Sequence, residues 1–185
     1  ISSERILDGI KAANQAGLHP IKVNVVVQKG INDHTILDII EYFKGTGNIV
    51  RFIEYMDVGG ATRWSFERVF TKTEMLDAIR KHYGTVTNAP SDPSSPARRY
   101  QLKDGKVFGI IASATEPFCR TCDRSRLTAD GIWYRCLYAM EGTDLRKPLR
   151  ENTSDAELIE LLQAGWASRE DRGAELRKEV TNREA

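Results

Sequence analysis

Apolar residues at Ile6, Leu7, Ile10 and Ala13 recur at helical spacing behind Ser2-Ser3-Glu4 and stop before Gly17. They predict a first helix with one buried face. After Pro20 the period changes. Ile21-Lys22-Val23-Asn24-Val25-Val26-Val27 is rich in β-branched residues and reads as a strand buried on both faces of a parallel sheet. Lys22 and Asn24 interrupt that run, two apart and therefore on one face, where polar groups find partners or line a cavity. Read alone, Lys22 is equally the solvated start of the strand. Helical spacing returns at Ile36, Ile39, Ile40 and Phe43, predicting a helix over residues 35–44, with Asp33 as its cap and Gly45 and Gly47 at its end. Residues 49–56 form the next strand. Strand, helix and strand at this length predict a right-handed parallel βαβ unit.

The pattern then loosens. Residues 57–70 read as a long loop holding Gly59-Gly60, Trp64 and Phe66. Thr71-Lys72-Thr73-Glu74 is a capping-box sequence opening a helix over 72–82, with Met75, Leu76 and Ile79 inward. Pro90, Pro93 and Pro96 among serines mark the clearest compositional break, so 85–96 is expected to connect two portions. Strands over 97–102 and 106–112 flank the turn pair Asp104-Gly105. Arg98-Arg99 reads as a surface pair sooner than as part of a basic pocket. Strands over 125–129 and 132–137 flank a second turn pair, Asp130-Gly131. Residues 143–152 read as a charged connector, and Ser154-Asp155-Ala156-Glu157 opens a last apolar helix with Leu158, Ile159, Leu161 and Leu162. Beyond Trp166 charge dominates, giving either a solvated helix or disorder.

Composition narrows the class. The 185 residues suffice for one good-sized domain or two small ones, and 41% hydrophobic with 29% charged residues is ordinary for a globular chain. A net charge of +1 argues against bulk electrostatic binding to nucleic acid. No apolar run approaches the roughly 20 residues that span a bilayer. The chain opens on Ile1, already in helical pattern, and reads as a fragment or processed product with a cytoplasmic setting.

All the distinctive chemistry lies in residues 118–137, Phe-Cys-Arg-Thr-Cys-Asp-Arg-Ser-Arg-Leu-Thr-Ala-Asp-Gly-Ile-Trp-Tyr-Arg-Cys-Leu. The chain's three cysteines are here: Cys119 and Cys122 as a Cys-x-x-Cys pair, and Cys136 returned towards them if the hairpin forms. Arg124 and Arg126 share one face if that stretch is extended. An odd count in a chain of this length argues against a disulfide framework. Zinc wants a fourth ligand, and His19, His34 and His82 lie far upstream without finger spacing. An iron–sulfur cluster suits thiolates. Spacing alone leaves zinc, iron–sulfur and buried free thiols all open.

These residues resemble the C-terminal cluster motif of the GTP 3',8-cyclase family, radical S-adenosylmethionine (SAM) enzymes of molybdenum cofactor biosynthesis. Lys22-Val23-Asn24 and Arg51-Phe52-Ile53-Glu54-Tyr55-Met56 resemble the family's last two barrel strands. The resemblance covers most of residues 1–165. It implies an α/β fold: residues 1–84 as closing units of an incomplete TIM-like radical-SAM barrel, 85–96 as connector, 97–165 as a small antiparallel β and helical extension that binds a cluster and GTP, and 166–185 as a charged tail. It implies that Cys119, Cys122 and Cys136 hold a [4Fe–4S] cluster whose open iron meets the guanine. Lys22, Asn24, Arg51, Arg124, Ser125 and Arg126 would contact GTP, and Met56 would contact SAM. A barrel places ligands at strand C-terminal ends, where Met56 sits.

In the family, SAM is cleaved at a separate N-terminal [4Fe–4S] cluster, and the resulting radical leads to cyclisation of GTP. The Cys-x-x-x-Cys-x-x-Cys motif for that cluster is absent from this sequence, so the chain alone is expected to be inactive. Nor does it end in the family's Gly-Gly tail. The resemblance further implies a missing N-terminal barrel half as partner, cyclic pyranopterin monophosphate synthase downstream, no nucleic acid or membrane partner, a homodimer as one oligomeric option, and a mitochondrial matrix setting in a eukaryote. An alternative of another class is a zinc-stabilised anion- or nucleic-acid-binding module.

Overall fold

Residues 2–57, 64–92 and 94–177 are described in a computed structural model of the chain. They divide into two compact units, with residues up to 57 and 64–116 in the first and 117–177 in the second.

The first unit is built on period-two alternation. Strands β1 (Lys22–Val27), β2 (Ile49–Glu54), β3 (Val86–Ala89), β4 (Arg98–Leu102) and β5 (Val107–Ile111) form one sheet in the order β1-β2-β5-β4-β3. β1, β2 and β5 run parallel, while β4 and β3 continue the sheet antiparallel. Val50 and Phe52 of β2 and Phe108 and Ile110 of β5 are fully buried. Around them pack Ile36 and Ile40 of helix α2 (Ile36–Tyr42) and Met75, Leu76 and Ile79 of α3 (Lys72–Tyr83). Leu7 and Ile10 of helix α1 (Ser3–Gln15) reach the same core only partly buried, and Ile6 stays largely exposed.

Both turn signals and one capping box form as the sequence predicts. Gly105 turns β4 into β5 at φ 88°, and Gly131 takes φ 87° in the second unit. At the start of α3, Thr71 Oγ1 accepts from Glu74 N at 3.3 Å, while Glu74 Oε2 accepts from Thr71 N at 2.8 Å.

Three expectations need correction. β1 is not buried on both faces: it is the outer strand of the sheet, with Val26 49% exposed and Lys22 and Asn24 exposed beside it. Asp33 is not the cap of α2. It sits in a 3-10 turn, Asp33–Thr35, and its Oδ1 accepts from Gly30 N at 2.9 Å, while the helix begins at Ile36, one residue later than the spacing suggests. The 85–96 connector is no break either. Residues 86–89 are strand β3, paired with β4, so 97–112 belong to the first sheet and the division between units falls after residue 116.

One carboxylate ties the first unit together. Glu54, the last residue of β2, is completely buried. Its Oε1 accepts from Lys72 N at 2.7 Å and Thr115 Oγ1 at 2.6 Å. Its Oε2 accepts from Ala114 N at 2.9 Å and Thr115 N at 2.8 Å. Glu54 does not pair with Arg51, because strand alternation sends the two side chains to opposite faces.

The second unit is slighter. Short strands β6 (Arg126–Leu127), β7 (Ile132–Tyr134) and β8 (Thr143–Asp144) form an antiparallel sheet. Helices α4 (Arg146–Arg150), α5 (Asp155–Ala167) and α6 (Gly173–Leu176) follow, so the supposed charged connector holds a strand and a helix. Ser154 and Glu157 form the second capping box. Among the described residues no helix is long and apolar enough to cross a membrane.

Glu54→Gln retains the shape but turns one acceptor into a donor facing donors. Leaving buried donors unpaired costs about 1–3 kcal/mol each, so the urea midpoint of the 185-residue chain should fall by the equivalent of about 3 kcal/mol with an unchanged m value. An unchanged midpoint would show that the carboxylate does not hold this junction.

Candidate functional site

The sheet of the first unit has a helix-covered face and an opposite face on which polar and apolar residues are mixed. Alternation puts Lys22 and Asn24 of β1 on that opposite face together with Arg51 of β2. Asn24 and Arg51 are register partners, and Arg51 Nε donates to Asn24 Oδ1 at 2.8 Å. Burial pushes the Arg51 guanidinium below its ordinary pKa. Gly109 is the register partner of Arg51 on the other side. Met56 lies two residues past the end of β2, half-buried. Lys22, Asn24 and Arg51 are thus brought to one sheet face, with Met56 at the strand's C-terminal end.

In the second unit Cys119 begins a 3-10 turn (Cys119–Thr121), and the three cysteines are free thiols of intermediate burial. Arg124 lies over the Phe118 ring at 4.6 Å and donates from Nη2 to Cys122 Sγ at 3.3 Å. Arg169 stacks on Trp166 at 4.8 Å and donates to the Cys122 carbonyl. Burial pushes the Cys122 thiol up, but Arg169 and Arg124 outweigh it, and the net direction is down. Cys119 and Cys122 line a hollow of about 600 Å³ with Trp166 and residues 169–172. Cys136 lines a second hollow that shares residues 170–172. Ser125 and Arg126 are exposed, and Arg126 pairs with Tyr134 across the hairpin.

The three thiols do not form a ready cage. Among the described residues no group of three or more His, Cys, Asp and Glu side chains is placed to hold a metal ion. The hairpin pairs only residues 126–127 with 133–134, so its ladder stops short of Cys122 and Cys136. The donor set is right in kind for an iron–sulfur cluster, three unpaired thiols with cations nearby.

Sequence reasoning missed Arg169, which gives no periodic or motif signal inside a run of charge. It also missed Gly109 and the buried Glu54, whose importance depends on partners remote in the chain.

Cys122 should alkylate with a pH midpoint below that of an unperturbed thiol. A lowered pKa means thiolate persists to lower pH, so Arg124→Ala or Arg169→Ala should raise the midpoint. Mass-resolved iodoacetamide rates in the unmetallated chain measure this, and an unmoved midpoint in both variants would refute the electrostatic account.

A family model described as Molybdenum Cofactor Synthesis C matches residues 48–175. The chain is 51% identical over 176 residues to GTP 3',8-cyclase 1 of Mycobacterium tuberculosis, covering 95% of this chain and 49% of that protein. It is 43% identical over 183 residues to the GTP 3',8-cyclase of Staphylococcus haemolyticus, covering 98% and 54%. Against that of Acidothermus cellulolyticus it is 41% identical over 182 residues, covering 96% and 50%. The chain spans about half the length of the curated relatives it matches. With the matched span covering more than half of its length, the chain belongs to the Molybdenum Cofactor Synthesis C family.

Proposed function

We propose that this chain is the C-terminal portion of a GTP 3',8-cyclase acting in molybdenum cofactor biosynthesis, and that it contributes the nucleotide- and cluster-binding residues. The relatives' names support the reaction. The observation that carries the residue roles is the guanidinium–thiol arrangement around Cys122. Cys119, Cys122 and Cys136 are the proposed ligands of a [4Fe–4S] cluster, and Arg124 and Arg169 lower the cost of thiolate formation there. Such a cluster, when bound, supplies an open iron site for a ligand nitrogen or oxygen.

The chain's own residues bind and orient. Arg124 and Arg126 neutralise phosphate, a task suited to the planar guanidinium fork, with Ser125 as an added donor. Lys22 and Arg51 offer further cations on the same sheet face, and Asn24 holds Arg51 in place. Met56 at the end of β2 is the proposed contact for SAM. The parallel strands β1, β2 and β5 are read as part of a radical-SAM barrel wall. The outer edge of β1 is the place for the strand that an N-terminal half provides, since an unpaired edge is a template for pairing.

The experiment is anaerobic reconstitution of the 185-residue chain with iron and sulfide, followed by iron, acid-labile sulfide and zinc assays. Sulfide at cluster stoichiometry is expected, lost in Cys119→Ser, Cys122→Ser and Cys136→Ser. Zinc without sulfide would replace the cluster with a zinc module. In the reconstituted chain, Arg126→Ala should weaken GTP binding about tenfold, which is 1.4 kcal/mol, and leave guanosine binding unchanged. Equal loss for both ligands would remove the phosphate role.

A further inference from the structure

The last turn of α5 is tied to both cysteine-bearing segments of the second unit. A helix end leaves carbonyls that the helix itself does not satisfy. Here the Gly165 carbonyl accepts from Nη1 of Arg135, the residue before Cys136, and from Ser168 Oγ at 3.2 Å. Arg135 Nη1 also donates to Ser168 Oγ at 3.1 Å. One residue further on, Arg169 Nη1 donates to the Cys122 carbonyl. These bonds join positions 30 and 47 residues apart in the sequence.

The turn that receives them is itself held. Trp166 stacks on the buried Trp133 at 6.3 Å, and the Arg169 guanidinium lies over Trp166 at 4.8 Å. The Arg169 side chain is only 10% exposed, and its Nε is buried without a hydrogen-bond partner, Asp171 Oδ2 standing 4.0 Å away. Confining a long cation in this way costs conformational entropy and hydration. The bond to the Cys122 backbone is what it secures in return.

The same stretch meets Cys136 once more. A Cβ at Gly173, the first residue of α6, would lie 3.0 Å from Cys136 Sγ and 2.5 Å from Tyr138 Cβ. α6 also packs against the 3-10 turn that begins at Cys119. Residues 165–176 thus touch the segments that carry all three thiols.

We infer that Arg135 and Arg169 are positioning residues for the proposed cluster, holding the Cys136 segment and the Cys119–Cys122 turn on the last turn of α5. The identity of the metal group rests on the proposed function, whereas the clamp rests on the hydrogen bonds. This role is separate from the charge of Arg169. Arg169 acts through the Cys122 carbonyl, and Arg135 through the peptide link to Cys136. Groups that orient metal ligands without binding the metal are typically worth about 10- to 100-fold in affinity.

The test is anaerobic reconstitution of the 185-residue chain at limiting iron and sulfide, in wild type and in variants at Arg135, Arg169 and Arg146. Acid-labile sulfide per chain should fall about tenfold in Arg135→Ala and in Arg169→Ala, each with a native circular dichroism spectrum. The electron paramagnetic resonance spectrum of the residual reduced cluster should differ from wild type. Arg135→Gln and Arg169→Gln keep a neutral donor and should restore loading in part. Arg146→Ala removes an arginine of the same unit that pairs with Asp144, and should change nothing. Wild-type loading and spectrum in both alanine variants overturn the clamp and leave the cluster reading standing. Loading restored by Arg169→Lys but not by Arg169→Gln makes charge the whole role of Arg169 and overturns its positioning of the turn. Zinc without sulfide in wild type overturns the cluster reading. In that case a matching loss of zinc in the alanine variants upholds the clamp, and unchanged zinc overturns it.

Discussion

The first unit turns on the Glu54 carboxylate. An ionised group taken out of water is expensive unless its lone pairs are met. Here two oxygens receive four donors, from the first turn of α3 and from the turn after β5. The Ser113 hydroxyl adds a bond to the Glu54 carbonyl at 3.0 Å. The helix start contributes its unpaired N–H and its positive end, which favours a carboxylate. One side chain thereby fixes where β2 ends, where α3 begins and how the chain leaves β5.

That junction matters because β2 divides its residues between two tasks. Val50, Phe52 and Glu54 face the helices and are buried, while Ile49, Arg51 and Ile53 face the other way. Anchoring the buried series sets the height and twist of the exposed series with it. A one-residue slip would exchange the faces entirely, sending Arg51 into the core and Phe52 into water. The position of Arg51 is therefore held from the opposite side of the sheet, by the buried residues of the same strand.

What the sequence revealed, and what it did not, follows from the range of the forces. The capping boxes at Thr71 and Ser154 and the turns at Gly105 and Gly131 are decided by residues within four positions, and they read correctly. The shared face of Lys22 and Asn24 needs only a period of two. By contrast, β3 was hidden in a Pro- and Ser-rich stretch because Val86-Thr87-Asn88-Ala89 becomes a strand only against the ladder offered by β4. Arg169 was hidden for the same reason: it donates to the Cys122 carbonyl, 47 positions away. The thiol geometry was the least legible part, since spacing in sequence limits how far apart cysteines can be but does not bring them together.

The second unit poses a question of stability that bears on its chemistry. Among its described residues Trp133 alone is buried, and it stacks on Trp166 with centroids 6.3 Å apart. The packing there is close, since a Cβ at Gly165 would meet Trp133 Cζ3 at 2.8 Å. Yet Leu127, Leu149, Ile159 and Met140 remain largely exposed. A unit of about 60 residues has little apolar area to set against chain entropy and commonly relies on a staple. On the proposed reading a metal centre held by Cys119, Cys122 and Cys136 would be such a staple, and its binding energy would then be folding energy.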